Sequence, residues 1–73
     1  MSKVNMNAGK ALQILMVERD INGVELAKAT GLTTVTISSL RKKKLISGNA
    51  LFTLCDHFGI TAAEFFQKGE LIL

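Results

Sequence analysis

Residues 30–44 read TGLTTVTISSLRKKK: hydroxyl side chains pad a short apolar pattern, and four consecutive cations close it. No acid interrupts the stretch. Hydroxyls make hydrogen bonds and lysines neutralise anions, so this mixture suits the binding of a polyanion, either nucleic acid or an anionic membrane surface. The charge is uneven. Nine basic and six acidic residues give a net +3, and Arg41 to Lys44 supply +4 of it, leaving −1 for the rest of the chain. The basicity is a patch rather than a general property.

Five short helices are predicted to position that patch, read from caps and apolar spacing. The first runs from about Asn7 to Asp20, with Ala8, Ala11, Leu12, Leu15 and Met16 at intervals of three and four; Val4 and Met6 are placed near it. Asn22 starts the second, with Glu25 completing a capping-box pair, and Gly31 ends it. The third runs from Thr33 to about Lys42. The fourth starts at Ser47 or Asn49, carries Leu51, Leu54, Cys55 and Phe58 on one face, and stops at Gly59. Thr61 and Glu64 form the capping box of the fifth, which holds Phe65 and Phe66. Strand signals are nearly absent. Val35, Thr36 and Ile37 include β-branched residues that weaken the third helix on propensity alone, but the Thr33 cap and the inward pair Ile37 and Leu40 outweigh them. The expected fold is all-α, one domain spanning 1–73 with its core in about 8–66.

Only about three residues, Thr30 to Leu32, join the second and third helices. A turn that short, centred on a glycine free to adopt positive φ, makes two helices cross steeply. Ala27 keeps the crossing close, and Leu26, Leu32, Ile37 and Leu40 supply the shared apolar contact. This is a helix-turn-helix arrangement. Residues 23–42, GVELAKATGLTTVTISSLRK, resemble the helix-turn-helix of the lambda-repressor-like, Cro/CI-type (XRE) regulators, with Leu26, Ala27, Gly31, Leu32, Ile37 and Leu40 at the family's spacing. Ser47, Leu51, Leu54, Gly59, Ile60 and Glu64 extend the resemblance through the last two helices. It implies a compact five-helix DNA-binding domain, usually dimeric, that regulates transcription.

At 100° per residue, Thr36, Ile37 and Leu40 of the third helix share one side, and Thr34, Val35, Ser38, Ser39 and Lys42 share the other. The outer side is small, hydroxylic and free of acids, which suits a helix entering the major groove; hydroxyls meet base edges and Val35 meets a thymine methyl. By position in the family, Thr34, Val35 and Ser39 are the expected base contacts, with Ser38 adjacent. Phosphates are expected at Arg41, Lys42, Lys43 and Lys44, at Thr33, and at the starts of the second and fourth helices, near Gly23, Gly48 and Asn49. The sequence departs from the family at Gly23, where glutamine is common, and at Arg41, where glutamate is common. The outer face also lacks Arg, Gln and Asn, so strong bidentate base pairings are missing and sequence discrimination per subunit is modest.

Other functions fit less well. Cys55, Asp56 and His57 are the only candidate catalytic cluster, and three consecutive helical residues fan apart, with Cys55 on the apolar stripe. No metal-ligand spacing and no phosphate-cradling glycine loop is present, so neither an enzyme nor a cofactor or small-molecule ligand is expected. A lone cysteine cannot form an internal disulfide and suits the cytoplasm. No apolar run is long enough to span a membrane, the start does not read as a signal peptide, and residues 34–39 lack the bulky apolar side chains of a membrane-surface helix. The remaining alternative is a protein-interaction module or the antitoxin of a toxin–antitoxin pair. The expected partners are double-stranded DNA and a second copy of the chain, with the apolar tail Leu71–Leu73 or the last helix contributing to the homodimer. The expected mechanism is repression by operator occupancy, in a phage or mobile-element setting by analogy alone.

Overall fold

A side-chain oxygen caps the start of every helix. Asn7, Asn22, Thr33, Ser47 and Thr61 each accept a hydrogen bond from the backbone N–H three residues on, satisfying one of the donors that a helix start leaves unpaired. In the computed structural model, which describes residues 7–69, these caps open α1 (Ala8–Glu18), α2 (Gly23–Thr30), α3 (Thr34–Leu40), α4 (Gly48–Phe58) and α5 (Ala62–Lys68). The fold is all-α, with no strand among the described residues. Both capping boxes close reciprocally, Asn22 with Glu25 and Thr61 with Glu64. Val4, Met6 and the tail Leu71–Leu73 lie outside the described residues.

Two helices end earlier than their spacing predicts. α1 stops at Glu18 rather than Asp20. Asp20 adopts a left-handed φ of 52°, its N–H donates to the Val17 carbonyl at 3.1 Å, and the Ile21 N–H donates to the Met16 carbonyl at 3.0 Å. This closure usually falls to glycine, but aspartate tolerates it better than most residues. α3 stops at Leu40, two residues short of Lys42. Its last turn tightens, with Lys42 N–H donating to Ser39 at 3.1 Å and Lys43 N–H to Leu40 at 3.2 Å, a pattern that ends rather than extends an α-helix.

The buried faces are those the apolar spacing marks. α1 packs on α3 and α5, α2 on α3 and α4, and α4 on α5. Leu12 and Leu15 of α1, Leu26 of α2, Ile37 of α3, Leu54 of α4 and Phe65 of α5 are each less than 2% exposed. Each such burial contributes about 1.5–3 kcal/mol, and these side chains, drawn from all five helices, belong to one apolar cluster. Leu32, Leu51 and Phe66 pack against this core while partly exposed. Cys55 is buried, and desolvation pushes its thiol pKa up, whereas Asp56 and His57 are exposed.

Candidate nucleic-acid interface

The turn between α2 and α3 consists of Gly31, Leu32 and Thr33, one residue later than expected. Gly31 has φ 79°, and its N–H closes α2 on the Ala27 carbonyl at 2.9 Å. Nothing lies near its missing Cβ, so glycine is required here by backbone conformation and not by space. The Thr30 hydroxyl ties the turn down. It donates to the Leu26 carbonyl at 2.7 Å and accepts from Leu32 N–H at 3.3 Å.

α3 leaves that turn with two faces. Ile37 and Leu40 are buried, while Thr34, Val35, Ser38 and Ser39 are exposed, Val35 at 77%. Together with Lys42, those four line one open depression on the surface. Thr36 is half-buried, and its hydroxyl accepts from the Thr33 hydroxyl at 2.8 Å. Thus the five outer residues gather as the helical projection predicts, although Lys42 stands just past the helix end.

Arg41 stands at the edge of this surface, sharing a shallow depression with Gln13, Ser38 and Lys42. It also lines a neighbouring cleft with Gln13, Asp20, Asn22, Gly23 and Glu25. Gly23 and Arg41, both expected at phosphates, are therefore brought together. Their cleft also holds two carboxylates, so its formal charge is −1. Glu25 is already engaged, accepting from Asn22 N–H at 3.0 Å.

The lysine loop is held from both sides. Its N–H groups at Lys42 and Lys43 turn back to α3, as above. Its carbonyls face α1: Ala8 N–H donates to the Lys44 carbonyl at 2.8 Å and Gly9 N–H to the Lys43 carbonyl at 2.7 Å. The Gln13 side-chain amide donates to the Arg41 carbonyl at 2.7 Å. A Cβ on Gly9 would stand 2.5 Å from the Arg41 carbonyl oxygen and 2.6 Å from that of Lys43, closer than atoms tolerate. Lys42, Lys43 and Lys44 are left with exposed side chains.

Residues 11–67 match the Cro/C1-type HTH DNA-binding domain. The chain belongs to that family. No curated protein matches it.

As a Cro/C1-type domain the chain is a DNA-binding regulator, and the remaining candidate residues can be placed within it. Thr33 caps α3, with its hydroxyl accepting from Thr36 N–H at 3.1 Å. Gly23 is the first residue of α2; a Cβ there would sit 3.9 Å from Ile37 Cγ2, an ordinary contact, so a side chain fits. Asn49 is the second residue of α4 and is exposed. Gly9 and Gln13 were not legible as part of this surface, because each acts on backbone atoms of the loop. Phe52, 74% exposed on α4, was not singled out from the sequence; its place off the stripe of Leu51, Leu54, Cys55 and Phe58 is the signal that could have found it. Among the described residues no group of three or more His, Cys, Asp or Glu side chains could hold a metal ion, and no helix is long and apolar enough to cross a membrane.

Proposed function

We propose that the domain is a sequence-specific regulator of transcription, a small cytoplasmic repressor that excludes polymerase by occupying its operator. α3 enters the major groove of double-stranded DNA, where Thr34, Val35, Ser38 and Ser39 meet base edges. Lys42, Lys43 and Lys44, helped by Arg41, Thr33, Gly23 and Asn49, meet phosphates on either side. The observation that carries this reading is the acid-free outer face of α3, exposed opposite its buried anchors and continuous with Lys42. Long-range attraction comes from the lysines; selectivity comes from small contacts, with Val35 matched to a thymine methyl.

The domain acts as a homodimer, which sets two α3 helices about 34 Å apart on one face of the duplex. The exposed Phe52 supports this, since it lines an apolar groove with Leu51, Ile60 and Ala62. Sedimentation of the wild type and of Phe52→Ser checks it; a monomer at DNA-binding concentrations overturns the dimer alone.

The main test is binding to a random-sequence duplex pool across a salt series. Replacing Lys42, Lys43 and Lys44 with alanine is expected to flatten the salt dependence by roughly 0.9 for each phosphate no longer neutralised, leaving base preference intact. Val35→Ser is expected to relax one base position while the slope holds. A wild type that enriches no sequence from the pool would sink the reading.

A further inference from the structure

We infer that Gln13 and Gly9 are positioning residues for duplex binding, fixing the backbone of the lysine loop so that Lys42, Lys43 and Lys44 meet phosphates as a set. This deepens the DNA-binding reading above and rests on it.

Four adjacent cations repel one another, and a loop that carries them tends to open. No acid holds this one: the ion pair among the described residues joins Lys68 to Glu18, away from the loop. The restraint comes from backbone atoms. Lys43 is gripped at both ends, its N–H on the Leu40 carbonyl and its carbonyl under the Gly9 N–H. Lys44 is held through its carbonyl by Ala8 N–H, and the chain entering the loop is held at the Arg41 carbonyl by Gln13. Without a side chain, Gly9 lets α1 come close enough for these bonds. Helix and loop also complete each other. Ala8 and Gly9 N–H are the first two donors of α1, and Lys10 N–H is taken by the Asn7 side chain, so the three donors that precede the first helical bond, Ala11 N–H to the Asn7 carbonyl, are all satisfied.

A loop fixed before encounter loses little conformational freedom on binding, whereas a loose one must be ordered by the duplex. Gln13 touches no base or phosphate in this reading. Its effect passes through the Arg41 carbonyl to the lysines.

The test uses Gln13→Met in the full chain, which keeps the side chain's length and neutrality but removes the donor. Binding to a random-sequence duplex is measured across salt, in the native background and with Lys43→Ala and Lys44→Ala present. We expect about a 3–10-fold loss of affinity at low salt and a salt slope smaller by about one. The loss should vanish once the two lysines are gone, since interacting residues are not additive. Amide exchange should quicken at Gly9 and Lys43 but not at Leu26. An unchanged slope, an equal loss in both backgrounds, or faster exchange throughout the core would each overturn the positioning role while the DNA-binding reading stands. Failure of the wild type to bind any duplex would instead remove both.

Discussion

Along α3, the bonds that shape the outer surface are local. Thr33 caps Thr36 three residues away, Thr30 reaches Leu26 four residues back, and Gly31 closes on Ala27. The lysine loop beside it is shaped from a distance, by Ala8, Gly9 and a Gln13 side chain 28 residues from its partner. One region is set by its own sequence and the other by what α1 lays against it. The base-reading surface and the phosphate-reading surface should therefore fail separately.

The largest effect should come from removing what both regions share. Ile37→Ala empties a fully buried site beneath α3 and is expected to cost about 2–5 kcal/mol, read as a lower urea midpoint, with base preference and salt dependence lost together. Gly9→Ala should separate the regions. Its new methyl has no room against two loop carbonyls, an overpacking worth about 1–3 kcal/mol; duplex binding should lose salt dependence while the selected base pattern persists. Thr33→Ala should do the reverse at smaller scale. Losing the α3 cap costs about 1 kcal/mol, seen as a few degrees of melting temperature, and base preference should soften before the salt slope changes. If Gly9→Ala and Thr33→Ala alter both readouts in equal proportion, the two regions are one unit and the contrast is wrong.

The same contrast explains what could be read from the sequence. Asn22 with Glu25, Thr61 with Glu64, and Gly31 at the turn are short patterns whose partners lie within one helical turn, and the structure forms them. The inward positions of Leu12, Leu15, Leu26, Ile37 and Leu54 follow from helical spacing alone. The early end of α1 did not follow, because Asp20 takes a left-handed conformation that the residue type permits without announcing. The end of α3 at Leu40 and the tie between α1 and the loop were hidden for a different reason. The bonds that make them join main-chain atoms, which every residue carries, so no residue type marks them. Gln13 was hidden because a glutamine on an exposed helix face usually needs no explanation. Arg41 was assigned to the cationic surface by its neighbours in sequence; it lines a depression there with Ser38 and Lys42, and its second setting, the cleft with Asp20 and Glu25, depends on how α1 and α2 pack and was not legible.

Because Gln13 and the start of α1 grip carbonyl oxygens and leave the side chains of residues 41–44 alone, the loop's fastening does not depend on which side chains it displays. Lysine can be traded there for arginine, serine or even glutamate with the clasp undisturbed. The strength of the domain's hold on its target can thus drift over generations while the scaffold that presents it stays the same.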